Sequence, residues 1–274
     1  MNTRPKADGA PEPQDADLAI DLNALSVTFT QPDGVQHHVL RNLTLEVPRG
    51  QFVALVGRSG GGKTTILNVL TGLVGPTSGQ VRVLGKDPES ARAGIGFVPA
   101  RDALLPWRNA QRNVEYGLEL RGVPRAERKR VAARYLALVG LADAGDLWPW
   151  QLSQGMRQRV ALVRAWAVDP ELLLMDEPFA ALDADTRQNV RAKFRTLLES
   201  GPRRTVLLVT HDLDEAVLMA DRVIVLSRGN VAADTLVPPR VGDDATTDEL
   251  TSEHLALLRR LRNALRIEGP ETPT

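Results

Sequence analysis

Eight consecutive residues constrain this chain more than any other feature: Gly57-Arg58-Ser59-Gly60-Gly61-Gly62-Lys63-Thr64, which fit the pattern G-x-x-x-x-G-K-[ST]. Ahead of them Phe52-Val53-Ala54-Leu55-Val56 is an unbroken apolar run, as in a strand buried on both faces. Behind them Ile66, Val69, Leu70 and Leu73 recur at helical spacing, with Gly75-Pro76 as the expected stop. A strand, a glycine loop and a helix in that order form an anion cradle. Glycines let the backbone wrap close to a phosphate while the loop N–H groups point inward. The helix N-terminus adds roughly half a positive charge. Lys63 is placed to reach the terminal phosphates of a nucleotide, and the Thr64 hydroxyl to ligate Mg²⁺.

Such a loop needs a carboxylate at a neighbouring strand end. Leu172-Leu173-Leu174-Met175-Asp176-Glu177 supplies one. Four apolar residues predict a buried strand, so Asp176 emerges at its C-terminal end, the edge where open α/β sheets bind ligands. Asp176 is expected to hold Mg²⁺ through water. Glu177 points the other way and is able to polarise an attacking water.

The rest of the chain supports an α/β sheet. Val206–Val209 and Val223–Leu226 repeat the buried-strand pattern, and a helix over about Asp185–Glu199 supplies a crossover. From Leu18 to Val47, Ile20, Leu22, Leu25, Val27 and Phe29 predict edge-type strands of an antiparallel sheet around the turn Gln31-Pro32-Asp33-Gly34. Residues 107–167 lose the strand pattern and gain helical stripes: Val131, Tyr135, Leu138 and Val139, then Met156, Val160, Val163 and Ala167. Leu257, Leu258, Leu261 and Leu265 share one face of a C-terminal helix, suited equally to capping its own domain or meeting a partner. The expected organisation is a disordered tail over 1–17 and a nucleotide-binding domain over 18–234. A helical subdomain is inserted at about 101–167, and an extension covers 235–274.

Composition excludes several function classes. The chain has 34 Lys+Arg and 34 Asp+Glu, so it lacks the basic excess of a polyanion-binding protein. It has no cysteine, which removes disulfides, thiolate catalysis and Cys-ligated metals. No apolar run approaches the ~20 residues of a membrane-spanning helix, and the first 17 residues show no apolar signal region. Work at a membrane would require a partner.

Leu152-Ser153-Gln154-Gly155-Met156-Arg157-Gln158 resembles the signature motif of ATP-binding cassette (ABC) transporter ATPases. Asp176-Glu177-Pro178, Ala181-Leu182-Asp183 and Thr210-His211-Asp212 follow in that family's order, and the likeness covers about Leu22 to Leu226. Leu104-Leu105-Pro106-Trp107 and the run Met175–Asp183 resemble the nitrate, sulfonate and taurine importer subgroup. The resemblance implies a P-loop NTPase core with a mainly parallel sheet, a small antiparallel β-subdomain and an inserted helical subdomain. It implies ATP and Mg²⁺ as cofactors, with ATP held by Gly57–Thr65, including Arg58, Ser59, Gly60, Gly61, Gly62, Lys63, Thr64 and Thr65. Phe29 matches the aromatic that stacks on adenine, though a strand core residue would look the same. Ser153, Gln154 and Gly155 match the segment that reaches the γ-phosphate bound to a second copy in a head-to-tail dimer. Good N-capping by Ser153 suits that role, because it directs free N–H groups at an anion. Asp183 matches the loop coupling the two sites. Glu177 and His211 match the catalytic pair. Transmembrane permease subunits, an extracytoplasmic substrate-binding protein and a peripheral place on the cytoplasmic face of the membrane are implied with them.

One departure stands out. In Gly96-Phe97-Val98-Pro99-Ala100-Arg101 the family would place a glutamine where Ala100 stands. Gln154 also replaces a glycine of the signature. The Ala100 departure leaves a regulatory cassette with weakened turnover as one alternative. A soluble ABC ATPase acting on nucleic acid or the ribosome is another, although one cassette, no long heptad array and no cysteine speak against it. Trp148-Pro149-Trp150 is expected to pack the signature segment, and Trp107 to lie at an interface. The basic cluster Arg125, Arg128, Lys129, Arg130 and Arg134 is expected on a solvated face.

Overall fold

The structure, a computed structural model, describes residues 18–199, 203–239 and 250–266. The expected tail over 1–17 lies outside the described residues. In chain order the elements are β1 (Leu18–Thr30), β2 (Gln36–Pro48), β3 (Phe52–Gly57), α1 (Lys63–Leu70), β4 (Ser78–Val83), α2 (Pro88–Ala91) and β5 (Ile95–Val98). Next come α3 (Ala110–Leu120), α4 (Arg125–Leu138), α5 (Gln154–Ala167), β6 (Leu172–Asp176), α6 (Ala184–Glu199) and β7 (Thr205–Thr210). The chain continues through α7 (Leu213–Met219), β8 (Arg222–Ser227), β9 (Asn230–Leu236) and α8 (Ser252–Arg266).

The larger sheet runs β5-β6-β7-β3-β8-β9, parallel except that β9 pairs antiparallel with β8. Every residue of β3, β6 and β7 is buried, as their continuous apolar runs require. The smaller sheet is antiparallel, in the order β2-β1-β4. Here β1 is the central strand, not an edge. Its second partner β4 alternates only through Val81 and Val83, too short a pattern to read from the sequence.

Three apolar clusters hold these layers. One lies between the large sheet, α1 and the small sheet, around Leu22, Leu40, Leu55, Ile66 and Leu174. A second covers the opposite face under α5–α8, around Val56, Met175, Phe179, Phe194 and Val217. The third is the core of the α3–α5 unit, which stands between β5 and β6 in the chain, with Val114, Leu136 and Val160 at its centre. Leu257, Leu258 and Leu261 of α8 join the second cluster, so that apolar stripe covers its own domain. Each such side chain contributes roughly 1.5–3 kcal/mol by burial.

Several local expectations are corrected. Helix α1 stops at Leu70, with Thr71 as its cap residue and Gly72 at φ 69°; Leu73 is 66% exposed instead of extending the stripe. The buried face of α4 is Ala132, Leu136 and Val139; Val131, Tyr135 and Leu138 flank it half-buried. Trp148 and Trp150 stack on each other at 5.1 Å and stay exposed rather than packing the signature segment.

Candidate nucleotide-binding site

Parallel register brings the site together. Val56 of β3 lies opposite Thr210 of β7, and Asp176 of β6 lies opposite Val209. The C-terminal ends of three adjacent strands therefore open onto one edge, carrying the glycine loop, the Asp176-Glu177 pair and His211.

The glycine loop is fixed from beneath. Gly62 caps α1 at φ 94°, and a Cβ there would come within 2.7 Å of Leu40 Cδ2 on β2. Lys63 is buried, and its Nζ donates to the carbonyls of Gly57 at 2.6 Å and Arg58 at 2.8 Å. Burial pulls the Lys63 pKa below the ordinary lysine value, although Glu177 and Asp176 oppose the shift. The Thr64 hydroxyl donates to Asp176 Oδ2 at 2.9 Å. Asp176 is 4% exposed; burial and, secondarily, the Glu177 charge push its pKa up, against the Thr64 hydrogen bond and Lys63. A hydroxyl and a carboxylate side by side are hard oxygen donors. They suit Mg²⁺, which keeps several waters and takes phosphate oxygens instead of a full protein cage.

Glu177 sits at φ 46°, a left-handed conformation, with its N–H donating to Val209 O at 2.9 Å. Its Oε1 lies 3.1 Å from Nδ1 of His211, whose side chain is 64% exposed. One carboxylate and one imidazole thus face the same opening, beside the buried pair of Lys63 and Asp176.

The signature segment is built differently. Ser153 caps α5, its Oγ accepting from the Met156 N–H at 3.2 Å, and Ser153 and Gln154 are exposed. A Cβ on Gly155 would lie 3.3 Å from Ala181 O, so this turn rests beside the Asp183 loop. Among the described residues no hydrogen bond from Ser153, Gln154 or Gly155 reaches Gly57–Thr65. Asp183 Oδ1 accepts from the Thr186 N–H at 2.9 Å, which caps α6 and foremost keeps the Asp183 carboxyl below the usual range. Phe29 is 43% exposed at the end of β1, which removes the strand-core alternative. Ala100 is exposed just past β5.

Sequence reasoning missed two tethers. Asp102 accepts from Arg157 Nε at 2.8 Å, and Arg164 donates to Ala103 O at 2.8 Å, tying the loop after β5 to α5. These partners are more than fifty residues apart, and no local pattern announces them. The other is buried Glu215, on α7 behind His211, which accepts a hydrogen bond from Thr210. Its signal, an acid following His211 inside an apolar helix, was present but unassigned.

Known proteins share this sequence and fold. The family described as ABC transporter matches residues 40–180. An aliphatic sulfonates import ATP-binding protein of Mycobacterium avium is 49% identical over 207 residues, covering 74% of this chain and 78% of that protein. A taurine import ATP-binding protein of Chromobacterium violaceum is 43% identical over 247 residues, covering 88% and 94%. Among solved structures, a dimeric post-hydrolysis state of an ATP-binding cassette bound to ADP and Pi superposes with a TM-score of 0.74 at 31% identity, covering 81% of this chain and 100% of that one. With a phosphate loop, a strand-end carboxylate pair and a signature turn in one fold, and relatives at this identity over most of its length, the chain belongs to the ABC transporter family as an ATP-binding, ATP-hydrolysing subunit.

Proposed function

We propose that this chain powers an importer of small oxyanions of the sulfonate, taurine and nitrate kind. The observation that carries the reading is the convergence of Lys63, Thr64, Asp176, Glu177 and His211 on one sheet edge. The names of the sulfonate and taurine relatives favour an importer over a soluble cassette acting on nucleic acid.

The loop Gly57–Thr65 holds the phosphates through its N–H groups, and Lys63 turns from the loop carbonyls onto the terminal phosphates. Thr64 directly, and Asp176 through water, would hold Mg²⁺, which when bound would neutralise charge on the phosphate oxygens. Glu177 orients the water that attacks the γ-phosphate, and His211 holds the γ-phosphate from the side. Phe29 stacks on the base. Ser153, Gln154 and Gly155 complete the site of a second copy in a head-to-tail dimer; the exposure of Ser153 and Gln154 supports this. Asp183 lies where the two sites meet.

No described helix is long and apolar enough to cross a membrane, so the path belongs to permease subunits. The chain sits against them at the cytoplasmic face, and an extracytoplasmic binding protein delivers the anion. The test is purification of the tagged chain from membranes with its permease subunits, then reconstitution in vesicles. ATP-driven uptake of taurine, an alkyl sulfonate or nitrate, abolished by Glu177→Gln, is the expected result. A reconstituted complex that hydrolyses ATP yet moves none of the three would overturn the assignment.

A further inference from the structure

Glu215 is 4% exposed, and the hydrolytic scheme above gives its carboxylate no task. The surrounding contacts supply one. Thr210, the last residue of β7, donates its hydroxyl to Glu215 Oε2, and the same hydroxyl oxygen accepts the Asp212 N–H at 3.1 Å. Asp212 Oδ1 in turn accepts the N–H groups of Asp214 at 2.9 Å and Glu215 at 3.1 Å. His211 is the single residue between Thr210 and Asp212, so both of its flanks are pinned by one network centred on Glu215. Across one cavity from Glu215 stands Arg187 of α6; burial foremost, with the Asp212 charge, opposes the ionised carboxylate, while the charges of Arg191 and Arg187 favour it. Arg187 Nη2 donates to Leu182 O at 2.8 Å, the residue before Asp183. Glu177, His211, Arg187 and Glu215 line one small cavity.

We propose that Glu215 is a positioning residue: bonded to Thr210 and set across one cavity from Arg187, its carboxylate holds the His211 loop and links it to the Asp183 loop. The inference rests on the reading that His211 serves hydrolysis. A carboxylate does two things here that an amide cannot do together. It accepts from Thr210, and when ionised it answers the Arg187 charge in a buried place, where charges are screened least.

The experiment measures kcat, KM and the thermal melt of the full chain with Mg·ATP, with kcat normalised to nucleotide bound per chain. The variants are Glu215→Gln, Arg187→Gln, their double, Thr210→Val and His211→Ala. Glu215→Gln is expected to lower kcat by about 10- to 100-fold, the cost of a slightly misplaced catalytic group, with KM within about twofold and the melt held. Combined with Arg187→Gln it should lower kcat little further, because both changes break one link. Thr210→Val, which keeps the shape and deletes only the hydroxyl, should share the kcat loss and serves if Glu215→Gln does not fold. Wild-type kcat in Glu215→Gln and Thr210→Val overturns the proposal. So do multiplicative losses in the double variant, or losses in which KM rises and the melt falls in step with kcat, which mark a purely structural role. Wild-type turnover in His211→Ala would instead sink the parent reading of His211 and is told apart by that variant alone.

Discussion

Restoring a glutamine at position 100 should raise ATP turnover. Strands β5 and β6 are parallel neighbours, with Val98 opposite Met175. Ala100 follows that pair by two residues on one strand end as Glu177 does on the other, and adjacent strands run roughly 4.8 Å apart. Ala100 is exposed, so a longer side chain has room to turn towards the strand ends. The loop behind it is held by Asp102 to Arg157 and by Ala103 O to Arg164, which limits the ordering cost of placing a new amide. A methyl group binds neither metal nor water. Mg²⁺ tolerates this, because water replaces a lost side-chain ligand. Alignment of the attacking water is more sensitive: one positioned polar contact at a reacting centre is worth about 2.7–4 kcal/mol, or 10²–10³ in kcat. That is a ceiling here, since Glu177 and His211, 3.1 Å apart, already offer polar groups at this opening. Ala100→Gln should therefore raise phosphate release at saturating Mg·ATP by up to about 10²-fold with nucleotide affinity nearly unchanged. A flat or lower rate in a variant that still binds Mg·ATP would show that turnover is limited elsewhere.

Lys63→Ala should lose ATP binding or turnover while keeping its melt, since Lys63 bonds only loop carbonyls; wild-type turnover in the folded variant would remove the phosphate-loop role. Glu177→Gln should bind ATP, stop turning over and accumulate as an ATP-bound dimer, because one negative charge beside the triphosphate is gone; light scattering with and without Mg·ATP reads this, and unchanged hydrolysis would end the assignment. Stability should also carry the mark of Glu215. Burial raises its folded pKa above the ordinary 4.5, so the folded chain holds this proton to higher pH than the unfolded chain does. That contribution is complete below pH 4.5 and is lost as pH rises through the folded value, with a slope of at most about 1.4 kcal/mol per pH unit. Glu215→Gln should lack this slope in urea unfolding measured from pH 4.5 upward, and parallel slopes would contradict the burial argument.

The parts of the fold legible in the sequence are those written locally. Phe52–Val56, Leu172–Met175 and Val206–Val209 are apolar without a break because both faces of those strands are covered, and they fell where expected. The glycine loop was legible because its chemistry is contiguous. What hid was decided at a distance. β1 is central only because β4 reaches it after β2, β3 and α1 have intervened. The stripe of α4 is offset because the helix meets α3 and α5 through Ala132 and Leu136. Trp148 and Trp150 stay outside because each finds its partner in the other. At the site, Thr64 and Asp176 were nameable separately, but their 2.9 Å contact exists only once β3, β6 and β7 lie side by side.

The junction beneath the glycine loop bears on how this sequence is able to drift. Val39 and Leu40 of β2 are approached from two sides, by Gly62 and by Gly229 in the β8–β9 turn. A Cβ on Gly229, at φ 80°, would lie 2.4 Å from Val39 O, and one on Gly62 would lie 2.7 Å from the Leu40 side chain. The Arg41 N–H donates to Gly229 O at 3.2 Å, closing the triangle. Backbone at one corner and a fully buried leucine at another leave no corner able to yield alone. Lineages of this chain should therefore exchange residues freely on the exposed faces of α4 while inheriting these three places as a block.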